Sequence, residues 1–309
     1  MEPDSQTGSG LSVCIATYRR EPRLRALLAD LERQTRRPEQ VVVVDNDASG
    51  SARATVDAFR ASTAFELVYE VQPQKNISLT RNRTVALARG QWLAFVDDDE
   101  RAPAQWLEQL MDAAERYSAD GVQAPVEPVL PDDAPPWLRR GRFYDWARFA
   151  SGTVVPGNRL RFGNVLLRGS LLRQLPGPFD PVFGLTGGED GDLLSRLVRG
   201  GARIVWCDEA AVQEPVESAR LNARWLLRRS LRGGQDYARH WLAGHYGPPT
   251  LAGRAAFFLR ALLQLMVAAV LSLLLLPLGL HHTVRWLIKV TANFGKLSVL
   301  WGWHYNEYA

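Results

Sequence analysis

The chain has 309 residues, 46% of them hydrophobic, with 37 Lys and Arg against 33 Asp and Glu for a formal net charge of +4. That length suffices for one large α/β domain or two smaller ones with a sizeable core. From Leu251 onward there are five basic residues and one acid, so residues 1–250 sum to zero and the excess lies in the tail, which argues against a nucleic-acid-binding body and removes nucleic acid from the expected partners. Cys14 and Cys207 lack metal-ligand spacing and sit in apolar runs, so both read as buried free thiols. Residues 1–10 are polar, without a signal-peptide core, and are expected to be disordered.

Leu11 to Thr17 reads as a first strand, followed by a polar turn at Tyr18-Arg19-Arg20. Pro22 opens a helix with Leu24, Leu27, Leu28 and Leu31 on one face. Gln40 to Val44 is a second buried strand ending at Asp45-Asn46-Asp47. A helix from Ala52 to Arg60, a strand from Phe65 to Val71 and a helix from Leu79 to Arg89 come next. This alternation predicts an α/β fold with a mainly parallel sheet and right-handed crossovers. No glycine fingerprint follows the first strand and there is no Walker A loop, so dinucleotide and P-loop readings fall away. Trp92 to Val96 is a buried central strand that ends in Asp97-Asp98-Asp99-Glu100. Consecutive carboxylates at a strand's carboxyl end suit a divalent cation, Mg²⁺ or Mn²⁺, that holds a diphosphate. The plainer reading is an acidic turn capping the next helix, Pro103 to about Tyr117.

Four segments together resemble one family. They are Ala16-Thr17-Tyr18-Arg19, the Val-rich strand before Asp45-Asn46-Asp47, Asn76-Ile77-Ser78-Leu79-Thr80-Arg81-Asn82-Arg83, and Phe95-Val96-Asp97-Asp98-Asp99-Glu100. In this order and spacing they resemble family 2 glycosyltransferases of the bacterial polysaccharide-biosynthesis type, inverting enzymes of GT-A fold that use nucleotide-diphosphate sugars. The resemblance spans roughly Leu11 to Pro215. It implies that Thr17, Tyr18 and Arg19 line a nucleoside pocket and that Asp45 hydrogen-bonds the base edge. Arg81, with Asn76 and Asn82 near it, would stabilise the diphosphate or the site's acids. Asp97 and Asp98 would face the donor, a UDP-sugar by expectation, and Asp97 and Asp99 the cation. Asn164 would sit near the transferred sugar.

Beyond the central helix, residues 124–136 are proline-rich and acidic, and Trp137 to Tyr144 mixes aromatics with arginine, as a mobile acceptor loop or a surface insertion would. Arg161 to Leu167 is strand-like. Thr186-Gly187-Gly188 then precedes Glu189-Asp190 at the start of an apolar helix, Leu193 to Val198, where a carboxylate caps the helix or serves as a base. An inverting transfer needs a carboxylate within reach of the attacking hydroxyl. The resemblance gives that role to Asp190, with Glu189 orienting it or binding the acceptor. Ile204 to Cys207 is a last strand, and Gln213 and Glu214 stand where many such enzymes carry a His metal ligand.

Arg220, Arg224, Arg228 and Arg232 recur every four residues as one helical stripe, and guanidinium forks suit phosphate oxygens. The processive branch of the family carries Gln-x-x-Arg-Trp here. Leu221 replaces the Gln, which speaks against processive synthesis. Ala261 to Leu280 is an apolar run long enough to span a bilayer. Downstream, Trp286, Leu287, Phe294 and Trp301 alternate with basic residues as in an interfacial helix. One span, a re-entrant hairpin and a tail packed in a homo-oligomer all stay open.

The expected organisation is a GT-A catalytic domain at 11–216, a basic amphipathic helical segment at 217–250 and membrane-associated helices at 251–309. The expected function is transfer of one sugar, with inversion, to a lipid-linked saccharide acceptor at the cytoplasmic face of a bacterial inner membrane. Trp137, Asn164, Arg224 and Arg228 are the expected acceptor or phosphate contacts. The alternatives are a polyprenyl-phosphate glycosyltransferase and a non-catalytic, membrane-anchored nucleotide-sugar-binding protein.

Overall fold

The computed structural model describes residues 10–244, 247, 250–303 and 305, so the expected disorder at residues 1–9 lies outside the described residues. The chain begins β1 (Leu11–Thr17), α1 (Glu21–Glu32), β2 (Gln40–Asp45), α2 (Arg53–Arg60), β3 (Glu66–Val71), α3 (Ile77–Leu87), β4 (Trp92–Phe95) and α4 (Trp106–Arg116). It continues β5 (Gly121–Gln123), β6 (Val126–Val129), α5 (Pro136–Gly141), β7 (Val165–Arg168), α6 (Gly169–Arg173), α7 (Glu189–Arg199), β8 (Ile204–Trp206) and β9 (Val212–Pro215). Three helices close it, α8 (Ala223–Leu242), α9 (Leu251–Leu274) and α10 (Leu280–Ser298). A seven-stranded sheet runs β3-β2-β1-β4-β7-β5-β8, and β6 pairs with β9 apart from it.

Only β7 runs against its neighbours; the other pairings in the large sheet are parallel. The alternation within β2 shows why the sheet is covered on both faces. Val41 and Val43 join Leu24, Leu28 and Trp106 in one core, and Val42 and Val44 join Leu93, Phe95 and Phe179 in the other. Parallel strands buried this way bring the carboxyl ends of β1, β4, β5 and β8 to one edge, where ligand sites of such sheets form. Thr17 pairs with Asp45, so the first two strands end level.

The stretch expected to be a mobile acceptor loop is a packed element. Leu138 of α5 is fully buried in a cluster with Tyr144, Leu226 and Val284. Trp137 packs on Phe143 with ring centroids 5.7 Å apart and does not line the cavity at the sheet's carboxyl edge, which corrects its placement at the acceptor. The physical reason is α10, whose apolar face the irregular segment covers.

The tail forms a helical hairpin. α9 ends at Leu274, a short 3-10 turn carries Pro277, and Gly279 at φ 122° starts α10, which packs along both α9 and α8. α9 is long and apolar enough to cross a membrane, and only 17% of its most apolar window is buried. The α8–α10 seam is close. A Cβ added at Gly234 would meet the Ala292 carbonyl oxygen at 2.0 Å, and one at Gly295 would meet that of Leu231 at 2.1 Å. Gln235 donates to Ser298 Oγ at 2.8 Å and Ser230 to the Ile288 carbonyl at 2.6 Å. Gly234→Val is therefore expected to destabilise the protein by at least the about 1–3 kcal/mol of ordinary overpacking, because backbone must move. A thermal melt of the variant against Gly233→Val, where a Cβ meets open space, checks this.

Candidate active site

A cavity of about 400 Å³ opens at the carboxyl edge of the sheet. One end is made by Thr17, the last residue of β1, and Tyr18 after it, with Asn46, Lys75 and Asn76. Asp97 to Glu100 form its middle, and Trp146, Arg159, Arg161, Trp206, Trp225 and Arg229 its far end. Thr17 donates to Asp98 Oδ2 at 2.8 Å, tying the end of β1 to the acidic run. Arg20 spans the next two acids, 2.9 Å from Asp98 Oδ1 and 2.9 Å from Asp99 Oδ2. Arg23 at 3.3 Å and Arg220 at 3.6 Å also face Asp99. Asp98 and Asp99 are thus buried and held by guanidinium forks, whereas the Asp97 side chain is 46% exposed to the cavity.

Arg81 joins the two acidic motifs. One of its nitrogens lies 3.2 Å from Asp97 Oδ1 and another 2.5 Å from Glu189 Oε1, with the guanidinium 4.8 Å from the Phe162 ring centroid. The helix α3 delivers it: Asn76 caps that helix by accepting from Leu79 N at 3.0 Å, so Arg81 falls on the cavity face of its second turn. Glu189 and Asp190 start α7 after Gly187 and Gly188, whose φ of 80° and 98° is the left-handed conformation that glycine adopts without strain. Asp190 Oδ1 accepts from Gly191 N at 2.8 Å. Asp190 stands at the cavity's margin, not among its lining residues, and its charge acts on Asp97, Glu189 and Arg161.

Burial pushes Asp98 up to about 6, with Asp99 adding to the effect and Arg20 and Thr17 opposing it. Desolvation inside the cavity, onto which its side chain opens, raises Asp97 against the pull of Arg81, and Asp99 and Asp190 raise it further. Glu100, which accepts from Asp97 N at 3.2 Å, is pushed well above the usual carboxylate range by burial and by Asp97 and Asp99. Glu214 is raised by burial and by Asp99. Crowded hard oxygen donors that resist ionisation are what a divalent cation relieves. Space for one adjoins them: Gly163 has no side chain where a Cβ would lie 3.1 Å from Glu100 Oε1 and 3.6 Å from Asp97 Oδ2. The donor set fits a hard cation in its chemistry, although among the described residues no three His, Cys, Asp or Glu side chains already converge as ligands.

Burial also pushes Glu189 up to about 7, with Asp190 adding and Arg81 opposing, and its second oxygen has no hydrogen-bond partner among the described residues. A carboxyl raised in the folded state keeps its proton longer than in the unfolded chain. Its contribution to stability is thus full at low pH and declines as pH rises from the ordinary carboxylate range to about 7. Glu189→Gln should flatten that decline, which denaturant titrations at pH 5 and pH 8 would show.

Other expected site residues lie elsewhere. Asp45 is fully buried and spends both oxygens on structure, accepting from Asp47 N at 2.9 Å, Ala52 N at 2.8 Å and the Tyr69 hydroxyl at 3.0 Å. Arg19 turns outward at φ 53° to pair with Asp47 at 3.0 Å, and Arg20 takes the inward place. Asn82 brackets the Phe179 backbone, donating at 2.7 Å and accepting at 2.8 Å. Asn164 is buried, accepting from Trp106 at 2.8 Å and donating to the carbonyls of Pro125 and Ala210. Arg224 and Arg228 are exposed, whereas Arg220, Trp225, Arg229 and Arg232 face the cavity. Steps of four residues drift about 40° each around a helix of 3.6 residues per turn, and Arg220 precedes the Asn222 cap, so the four-residue stripe is not one face. Sequence reasoning missed Arg20, Lys75, Trp146 and Arg161; only Arg20, beside Pro22 at a strand end, carried a local signal.

Both the sequence and the fold have known relatives. The family described as Glycosyl transferase family 2 matches residues 12–168. The succinoglycan biosynthesis protein ExoM of Rhizobium meliloti is 35% identical over 235 residues, 74% of each chain. The galactofuranosyltransferase GlfT1 of Mycobacterium tuberculosis is 30% identical over 222 residues, 66% of this chain and 69% of its own. Among solved structures, the mannosyltransferase PcManGT of Pyrobaculum calidifontis superimposes with a TM-score of 0.65 at 18% identity, covering 94% of this chain and 87% of its own. TarS of S. aureus, residues 1–349, gives 0.54 at 19% identity over 96% and 93%. These two likenesses concern the fold, which is that of the GT-A glycosyltransferases. The chain belongs to glycosyl transferase family 2.

Proposed function

We propose that this glycosyltransferase moves one sugar from a nucleotide-diphosphate sugar to a lipid-linked saccharide acceptor, with inversion, in polysaccharide assembly. The observation that carries the reading is Arg81, which ties Asp97 at the end of β4 to Glu189 at the start of α7 across one cavity. A leaving-group site and the turn that carries a candidate base thereby adjoin one another. The Thr17, Tyr18, Lys75 and Asn76 end receives the nucleoside, with UDP as the expected carrier. Asp190 takes the proton of the attacking hydroxyl, and the Glu189–Arg81 pair holds the turn that presents it. Asp97 and Asp99 would hold a divalent cation, Mg²⁺ or Mn²⁺, which when bound neutralises the leaving diphosphate.

The names of relatives support this reading: one is a succinoglycan biosynthesis protein and another a galactofuranosyltransferase. Solved neighbours hold UDP, UDP-GlcNAc, or GDP-Man with Mn²⁺. Residues 11–216 would be the catalytic unit, 217–250 a helical segment that closes the cavity, and 251–309 the membrane-associated part at the cytoplasmic face. At about 1.5 Å per residue, the 24 residues of α9 reach far enough to cross a hydrocarbon core. Three tryptophans at the far end of the cavity favour a saccharide acceptor over direct transfer to a polyprenyl phosphate. Intact acids in both motifs favour an enzyme over a binding protein. The test is release of nucleoside diphosphate from a panel of sugar donors, with and without membrane lipid extract. Release that rises with the extract supports the reading; no release from any donor removes it.

A further inference from the structure

The two ends of the cavity differ in chemistry. The nucleoside end is lined by threonine, asparagine and a lysine, and the acids of the middle are tied to Arg20, Arg23, Arg81 and Arg220. The far end gathers Trp146, Trp206 and Trp225 with Arg159, Arg161 and Arg229. Glu214, an acid that also lines the cavity, is already paired with Arg220 at 2.6 Å. Among the described residues neither Arg159 nor Arg161 has an ion-pair partner. The Arg161 guanidinium lies over the Trp146 ring, 3.1 Å from its centroid, and Arg229 lies 5.0 Å from the same centroid. Stacking fixes the plane of the fork and leaves its N–H edges to the cavity's contents.

We propose that Arg161, seated on Trp146, and Arg159 at the same end of the cavity form an anion subsite that takes a phosphate or carboxylate carried by the acceptor. Assignment of the anion to the acceptor rests on the transfer reaction proposed for this cavity; the anion subsite itself rests on the arginines. Desolvation, reinforced by the charges of Arg229 and Arg159, pushes Arg161 down to about 9 against the weaker pull of Asp190, so this cation is only partly compensated in the protein as it stands. An anion entering here supplies the rest. The charge of Asp190 reaches Arg161 without an ion pair, so a bound anion would lie within electrostatic reach of the residue proposed to take the proton. A subsite of this kind would select acceptors whose charged group lies close to the attacking hydroxyl.

The test uses the full chain in detergent and calorimetric titration with three probes: geranyl diphosphate, glucuronate and neutral glucose. Each is run with and without a saturating nucleoside diphosphate, on the parent, on Arg161→Lys, and on the double variant Arg159→Gln, Arg161→Gln. Charge-assisted hydrogen bonds are worth about 1.5–3 kcal/mol, so the double variant should bind the preferred anion about 10–100-fold more weakly. Arg161→Lys should recover part of that loss, which separates lost charge from lost fold. Arginine-dependent binding of geranyl diphosphate identifies a lipid diphosphate as the source, and of glucuronate a saccharide carboxylate. Equal anion binding by parent and double variant overturns the subsite, as does a parent that prefers neither anion to glucose. Failure of the nucleoside diphosphate to bind counts against the proposed reaction instead, because the arginine-dependent component is read without it as well.

Discussion

Asp190→Asn should lower sugar transfer by about 10²–10⁴-fold, the usual contribution of a positioned general base, while donor affinity changes little. The substitution is mild in every respect but one. Asparagine keeps the shape and can accept from Gly191 N as Asp190 does at 2.8 Å, so that N–H in the first turn of α7 keeps its partner. It cannot accept the proton of an attacking hydroxyl. Asp190 also lies outside the cavity's lining, so the nucleotide's contacts should survive. Single-turnover transfer and donor titration together check this. A collapse of donor binding would make Asp190 structural or a ligand, and the base would lie elsewhere.

The second large effect concerns the acidic run. Asp97→Asn should fold as the parent does, because Asp97 is the open member of the run, and should lose about 10²–10³-fold in turnover, the scale of one removed electrostatic stabiliser. Asp99→Ala should lose activity and stability together. Its carboxylate faces Arg20, Arg23 and Arg220, and removing it leaves three half-buried guanidiniums to repel one another. Nucleoside-diphosphate release with added Mg²⁺ or Mn²⁺ and with chelator, read beside thermal melts of both variants, separates these outcomes. Full activity in chelator would remove the cation from the mechanism.

β1, β2 and β4 were legible because each is a largely apolar, buried run bounded by polar turns, whereas β3, with Glu66 and Glu70, is only partly buried and carries a weaker pattern. The reversed direction of β7 was not legible. Arg161 to Leu167 looks the same in either direction, and direction is set by where the chain re-enters the sheet between β4 and β5. Within the site, the acidic run, Arg81 and the Glu-Asp turn could be read because unusual residue types recur at strand and helix ends. The misplaced residues share a cause. Asp45, Asn82 and Asn164 are short polar side chains that serve backbone groups as readily as ligands, and only tertiary contacts decide which. The arginine face of α8 failed on phase, since the helix begins after Asn222 and turns at 3.6 residues. Trp137 failed because its neighbour Leu138 has a partner about 150 residues away in α10, which no local pattern announces.

The proposed transfer is a single displacement at the cavity lined by Asp97 and Arg81, with Glu189 and Asp190 at its margin. The most direct measurement is the anomeric configuration of the product, read by NMR, after transfer from a donor of known configuration. A single displacement predicts inversion. Retention would contradict it, because one carboxylate acting on the acceptor from the far side of the sugar cannot preserve the configuration.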